Sequence, residues 1–267
     1  NSRSQCMNTA NSQPASYKIM GKVEQYRTEL KTLDDWDTYL QAESRLPGPR
    51  ANLELAFAVA AEGSEDQFLR FAALDPETGP QNTPQEFLAF CGVLGLGYLA
   101  ARGEGGHFSL LREKAKDHRW RIREAVALGL QKYGHSAIDR LLALMAEWSQ
   151  GTLLERRAVV ATLCEPNLLV DPDDAGRIMD ILDEITASLP NEQDRRAEAF
   201  KALRKALAYG WSVAVAAQPP TGKPRLERWV ASPDPDIRWL ARQNLKKKRL
   251  LRLDEAWVQA QLQILDQ

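Results

Sequence analysis

Apolar residues recur at helical spacing along most of the chain, and the two-residue alternation that marks strands is weak throughout. Several helix starts are well marked. Ser64–Gln67 and Thr83–Glu86 have the form of capping boxes, while Asp171 and Asp234 each precede a proline and further acidic residues. The pattern predicts an all-α protein. We expect helices at 18–31, 34–44, 50–61, 65–74, 84–101, 108–116, 119–132, 136–148, 153–163, 173–187, 192–208, 224–231, 235–247 and 254–264.

The longest run without a charged residue, Phe87–Ala101, lies within one of these helices. It is shorter than the roughly 20 residues that span a bilayer. A helix that is apolar on all sides is usually buried between neighbours. We therefore predict a core helix and no membrane partner. Gly92, Gly95 and Gly97 should let the flanking helices approach this helix closely.

One sequence theme returns four times in the second half of the chain. It combines an acidic residue, one or more arginines, and then Ala and Leu at helical spacing, with copies that begin at Asp117, Leu154, Asp194 and Asp234. The copies lie about 40 residues apart, which is the spacing of stacked helical hairpins. Each hairpin has an apolar stripe that only its neighbours can bury, so we expect the copies to stack in one array.

From Asp117 onward the chain resembles the HEAT-repeat family, whose second helix opens with an acidic residue and then an aliphatic-arginine pair. Ile122-Arg123 and Ile237-Arg238 match that pair, with Asp117 and Asp234 upstream of them. The other two copies keep the arginine but lack the aliphatic partner. The resemblance covers residues 107–250 and implies a right-handed α-solenoid, or superhelix, of HEAT-like helical hairpins.

The repeats also suggest how the chain is divided. We expect a disordered tail at 1–16, divergent N-terminal helical hairpins at 17–106, HEAT-like repeats at 107–252, and a C-terminal capping helix at 253–267. The glycine-rich stretch Gly103–Gly106 is the candidate boundary between the two helical parts, because the repeat is plain only after it.

Charge is distributed unevenly along the chain. The net charge of −1 argues against a protein that binds nucleic acid over its whole surface, but it leaves room for a local basic face. Basic residues outnumber acidic ones in the second helix of each repeat, whereas 34–77 and 171–187 are acidic. The resemblance implies that the second helices line a concave side. A basic trough there would attract an anionic partner, either an acidic protein segment or a nucleic-acid backbone.

The predicted ligand-binding residues are the cations of these helices and two neighbouring tryptophans that could stack on a base. They are Arg119, Arg121, Arg123, Arg156, Arg157, Arg195, Arg196, Arg238, Arg242, Lys246 and Lys247, with Trp120 and Trp239. Other interpretations stay open. The charges can be solvated helix faces, the motif arginines can tie neighbouring repeats together, and the tryptophans can fill the core.

A second resemblance is to alkylpurine DNA glycosylases built from HEAT-like repeats. The chain is similar in length, repeat style and Arg/Trp-rich second helices, and Asn244–Leu250 is similar to a segment of that family. The resemblance implies a DNA-repair enzyme that uses a carboxylate. No clustered Trp-Trp-Asp segment supplies one, and the nearest substitute, Asp117, is better placed to cap a helix.

We therefore expect a non-catalytic binding or scaffold protein, with the glycosylase as the alternative; a scaffold that binds through apolar patches is a third reading. Cys6, Cys91 and Cys164 are far apart and the histidines show no metal-ligand spacing, so no metal site and no cofactor are predicted. Few cysteines and a polar N-terminus favour a cytoplasmic location.

Overall fold

The computed structural model describes residues 15–267, with side chains from Met20 onward. Every regular element in this part of the chain is helical, which confirms the all-α prediction. The helices are α1 (Ala15–Leu30), α2 (Trp36–Glu43), α3 (Leu53–Glu62), α4 (Glu65–Ala72), α5 (Pro84–Arg102), α6 (Phe108–Lys114), α7 (Trp120–Gly134), α8 (Ile138–Trp148), α9 (Leu153–Leu163), α10 (Pro172–Ser188), α11 (Glu198–Ala217), α12 (Pro219–Val230), α13 (Pro235–Leu245), α14 (Lys248–Leu253) and α15 (Glu255–Leu265). Short 3₁₀ turns lie at Pro166–Leu169 and Leu189–Asn191.

The helix starts that carry capping sequences lie where the sequence places them. Thr83 accepts a hydrogen bond from the backbone N–H of Glu86, and Ser64 accepts one from Gln67. Asp171 and Asp234 likewise accept from the N–H groups of their own first turns. These side chains bind donors that have no partner within the helix, which is why the starts are predictable.

The C-terminal third differs from the prediction in three places. α11 begins at Glu198 instead of 192, because Asp194 turns the chain by accepting from the N–H groups of Arg196 and Ala197. α11 ends at Ala217 instead of 208, and α12 begins at Pro219 instead of 224, since prolines fit a first helical turn that needs no N–H donor. The short helix α14 was not predicted.

Helices α5, α7, α9, α11 and α13 form what we call the main row, in which each helix packs against the next. Contacts near both ends show that successive helices run in the same direction. Arg121 of α7 pairs with Glu86 of α5 near their starts, and Gly129 lies against Gly97 near their ends. The connecting helices α8, α10 and α12 contact one another in sequence beside the main row.

Helix α5 forms the centre of the N-terminal half and packs on α3, α4 and α7. A Cβ atom added at Gly97 would come within 2.3 Å of the Gly129 Cα, and one added at Gly92 within 2.5 Å of the Ala72 nitrogen. The expected close approach of neighbouring helices is thus confirmed. By length and composition α5 could cross a membrane, and 78% of the apolar window that qualifies is buried inside the protein.

A single hydrophobic core runs through the helices from Tyr26 to Leu265. Trp148 and Trp211 are its largest fully buried side chains. The core passes without a break across Gly103–Gly106, because α5 on one side of that stretch packs on α7 on the other side. The core therefore holds the main row together as one packed unit.

Candidate anion-binding groove

A groove of about 880 Å³ opens on the face shared by α7, α9 and α11. We call it the main groove. Its charged lining comprises five cations and three carboxylates, so the balance is positive. The cations are Lys116, Arg123, Arg157, Lys201 and Lys205, and the carboxylates are Glu124, Glu165 and Glu198.

Arg123 and Arg157 lie side by side where α7 and α9 begin. Arg123 Nη1 donates to the carbonyl oxygens of Asp117 at 2.6 Å and His118 at 2.9 Å, which holds the guanidinium half-buried. Its Nε is buried and has no hydrogen-bond partner among the described residues. Burial and then the charge of Arg157 lower the pKa of Arg123, so its environment disfavours the positive charge.

Glu124 is the carboxylate that pairs with Arg157, and the charge of Asp117 also acts on Arg123. Arg157 Nη2 donates to Glu124 Oε2 at 2.8 Å, and Arg157 Nη1 donates to the Arg123 carbonyl at 3.3 Å. The Glu124 side chain is 42% exposed, so solvent weakens its compensation of two guanidinium groups. An added anion at this point would relieve the repulsion between the two arginines.

A second group of cations stands at the other end of the groove, around the exposed ring of Tyr209. Arg249 Nη2 donates to the Tyr209 hydroxyl at 2.6 Å, and its guanidinium carbon lies 4.6 Å from the ring centroid. Lys247 Nζ lies 5.7 Å from the same centroid. The sequence analysis named Lys247 but missed Tyr209 and Arg249, because only the fold brings α14 beside α11.

Three cations of the groove region keep their charge largely free. Lys205 is exposed and forms no ion pair within residues 20–267. Lys116 has only Glu155 nearby, at 4.0 Å, and Lys201 pairs with the exposed Glu198 at 2.7 Å. The Lys201–Glu198 pair is exposed and therefore weak, and the Lys116–Glu155 contact is at the distance limit of an ion pair. The lysines are therefore available to an incoming anion.

Arg119 and Arg121, two of the predicted ligand-binding residues, are buried instead. Arg119 is completely buried; besides the pairing with Asp117, it donates to the carbonyls of Leu74, Asp75 and Gly79. Arg121 is 5% exposed, pairs with Glu86 at 3.1 Å and donates to the Gly48 carbonyl. Both arginines tie α7 to the N-terminal helices and offer almost no surface to a partner.

Four further predicted arginines are engaged within the protein. Arg156 pairs with Glu192, and Arg195 pairs with Asp234 and Asp236. Arg238 and Arg242 both donate to the carbonyl of Leu265, and Arg242 also pairs with Asp266. These contacts join neighbouring helices, as the alternative interpretation of the motif arginines expects.

The remaining predicted residues lie outside the main groove. Arg196 and Lys246 are exposed. Trp120 is 44% exposed and stacks on Arg121, whereas Trp239 is half-buried against Arg204. Of all the residues that the sequence analysis proposed, the structure brings together Arg123 and Arg157 in the groove, with Lys247 beside it.

Asp117, the candidate carboxylate of the enzymatic alternative, is occupied by Arg119. Its side chain is 8% exposed and accepts from the backbone N–H, Nε and Nη2 of that arginine. Burial pushes its pKa upward, but these hydrogen bonds outweigh burial and leave the pKa below its usual value. A carboxylate held in this way is suited to fixing Arg119, the residue before α7, not to stabilising a cationic sugar.

Comparison of the sequence with protein-family models and with curated proteins gives no match. Among the described residues, no group of three or more His, Cys, Asp or Glu side chains is arranged to hold a metal ion. The chemistry that the groove offers is therefore that of its cations and its exposed aromatic ring.

Proposed function

We propose that this protein is a non-catalytic helical-repeat binding protein, and that its main groove holds an anionic partner. The partner is an acidic protein segment or a nucleic-acid backbone. We further propose that the helices form a right-handed solenoid of HEAT-like hairpins. The parallel main row, linked through a second set of mutually contacting helices, supports that arrangement.

The arginine pair at the head of the groove carries the functional proposal. Two half-buried guanidinium groups, Arg123 and Arg157, lie together; Arg157 pairs with the half-exposed Glu124, and the charges of Asp117 and Glu124 act on Arg123. The charge of Arg157 disfavours the positive charge of Arg123, and an external anion that accepts from the remaining N–H groups of the pair would lessen that repulsion. Phosphate and carboxylate oxygens both fit that need.

The lysines of α11 extend the positive region along the groove. Lys201 and Lys205 lie four residues apart, and therefore on one face of the helix, about 6 Å from each other along its axis. Several separated cations suit a chain with repeated charges better than a single small ion. The groove is therefore suited to a polyanion.

Charge reversal tests this function. The variant Lys201→Glu, Lys205→Glu, Lys247→Glu alters exposed or half-exposed side chains and leaves the structural arginines in place. The control Lys22→Glu, Arg50→Glu, Arg140→Glu makes the same change of charge at exposed sites away from the groove. Fluorescence anisotropy gives the affinity of each variant for a labelled oligonucleotide and for a labelled polyglutamate, from about 50 to about 200 mM salt.

We expect the groove variant to lose at least about tenfold in affinity and to show a shallower salt dependence, since each lost phosphate contact reduces the slope by about 0.7 to 0.9. The control should bind as the unmodified protein does. Equal losses in the two variants, or no polyanion binding by the unmodified protein at low salt, would overturn the proposal.

A further inference from the structure

We propose that the polyanion is a single-stranded nucleic acid, with an unpaired base stacked on Tyr209 and the neighbouring phosphates held by the cations of the main groove. This inference rests on the proposed function and selects one of its two partner classes. The inference depends on the position and surroundings of Tyr209, which belongs to none of the repeated motifs.

Tyr209 is presented on a rigid part of the groove wall. Its neighbour Gly210 packs so closely on α9 that an added Cβ would lie 2.6 Å from Cys164 Sγ. The Tyr209 carbonyl accepts from the Ser212 hydroxyl, and the Tyr209 hydroxyl accepts from Arg249. The ring is nevertheless 49% exposed. Arg249 lies over the ring at 4.6 Å and binds its hydroxyl, so the remaining exposed part of the ring is held in place to stack on a flat partner.

The ring favours a base over a carboxylate. The face of an aromatic ring carries the negative part of its quadrupole, which repels carboxylate oxygens and attracts cations and π systems. An acidic peptide could accept a hydrogen bond from the Tyr209 hydroxyl, but it would gain no stacking on the ring. A nucleobase gains stacking energy whatever its sequence, since every base has a π face.

The same ring discriminates between single and double strands. In a duplex both faces of a base are covered by its neighbours, so a tyrosine can stack only on a base that is unpaired and turned out. A duplex would use the lysines of the groove but not the ring. The protein should therefore bind single strands more tightly than duplexes at equal salt.

The cations lie where a strand running over Tyr209 would place its phosphates. Lys201, Lys205 and Tyr209 are spaced four residues apart on α11, which puts them in one stripe along the helix. Lys247, the residue before α14, and Arg249 of α14 lie over the ring. The base platform thus has positive charge on both sides along the groove.

The test compares four labelled ligands at one salt concentration: single-stranded DNA, single-stranded RNA, the DNA duplex of the same sequence, and polyglutamate of similar charge. We expect both single strands to bind about tenfold or more tightly than the duplex or the peptide. Tyr209→Ala should weaken single-strand binding about 5- to 150-fold, the equivalent of losing one base stack. The salt slope and the duplex affinity should stay unchanged.

Two further variants control this result. Tyr209→Phe keeps the ring and should retain most of the affinity, whereas Trp120→Ala removes an exposed aromatic residue outside the groove and should change nothing. An oligonucleotide that contains 5-bromouracil should form its photochemical crosslink at Tyr209 of the unmodified protein, a readout that does not depend on the folding of a variant.

The outcomes separate this inference from the function on which it rests. If polyglutamate or duplex binds as tightly as single strands, and Tyr209→Ala binds like the unmodified protein, the single-strand proposal is overturned and the anion-binding function stands. If the unmodified protein binds none of the four ligands at low salt, both proposals fail.

Discussion

Arg119 and Arg123 come from the same sequence motif and stand four residues apart, yet their surroundings are opposite. Arg119 turns toward the N-terminal helices and is completely buried in contacts with Asp117 and the carbonyls of the 74–79 loop. Arg123 faces the main groove, where its Nε has no acceptor. The first residue stabilises the fold, and the second is one that we propose contacts a ligand.

The buried pair gives a prediction about stability. Asp117→Asn removes the charge that compensates Arg119, and an uncompensated buried guanidinium is costly. We expect the free energy of unfolding to fall by about 3 kcal/mol in a urea titration at neutral pH. Asp139→Asn breaks the exposed pair with Arg177 and should leave the free energy of unfolding unchanged within error. An effect of equal size in both variants would contradict the burial argument.

The stability difference between the unmodified protein and Asp117→Asn should depend on pH, and the direction of the Asp117 pKa shift determines how. The pKa of Asp117 is depressed in the folded protein, so its contribution is complete above the unfolded-state pKa of about 3.9 and is lost as the pH falls through the folded pKa. The stability gap between the unmodified protein and Asp117→Asn should be constant from about pH 5 to pH 7 and shrink below about pH 4. A stability gap that widens in acid would contradict this prediction.

At the scale of elements, the main row depends on a close approach between two helices. Gly97 of α5 and Gly129 of α7 bring two backbones into direct contact, and a side chain at Gly97 has no free space. The contact between α5 and α7 is the most extensive between any two described helices, and it joins the N-terminal helices to the repeats.

Gly97→Ala should therefore destabilise the protein even though alanine favours helices. The new Cβ would meet the Gly129 backbone at 2.3 Å, and overpacking of this kind costs about 1–3 kcal/mol or more. The matched control is Gly176→Ala in α10, where nothing lies within 4 Å of the added Cβ; it should raise stability by about 0.5–1 kcal/mol. Thermal unfolding of the two variants measures both effects. Stabilisation by Gly97→Ala would contradict the close contact between α5 and α7 at this point.

At the scale of the whole molecule, the N-terminal helices and the repeats share one core. Arg119 and Arg121 of α7 reach back to Gly79 and Gly48, and the apolar cluster continues across the glycine-rich stretch. Helices pack continuously on both sides of Gly103–Gly106, the stretch predicted as a boundary.

We expect the chain to unfold in one cooperative transition. Trp36 is the only tryptophan before residue 107, so the difference between the fluorescence of the unmodified protein and of Trp36→Phe reports on the N-terminal helices alone. Its urea midpoint should coincide with that of far-UV circular dichroism, which reports on all helices. Two separated midpoints would show that the helices on either side of Gly103–Gly106 fold independently.

Much of the helical architecture can be predicted from local sequence, because capping and apolar spacing act within a few residues. The starts of α4, α5, α10 and α13 follow from Ser64, Thr83, Asp171 and Asp234, which bind their own first turns. The start of α11 was misplaced because a turn at Asp194 and a helix cap there use the same residue type. The start of α12 was predicted five residues too late, because prolines such as Pro219 and Pro220 occur both in loops and in the first turn of a helix.

The sequence by itself determined that the protein is all-α, where most helices begin, and that α5 is buried, since these depend on each residue and its near neighbours along the chain. Only the tertiary structure decided which cations meet: Arg119 and Arg121 turn inward, while Arg123 and Arg157 share a groove with Tyr209. The physical reason is that an arginine side chain reaches acids and carbonyls on several helices, and the packing of those helices selects its partner.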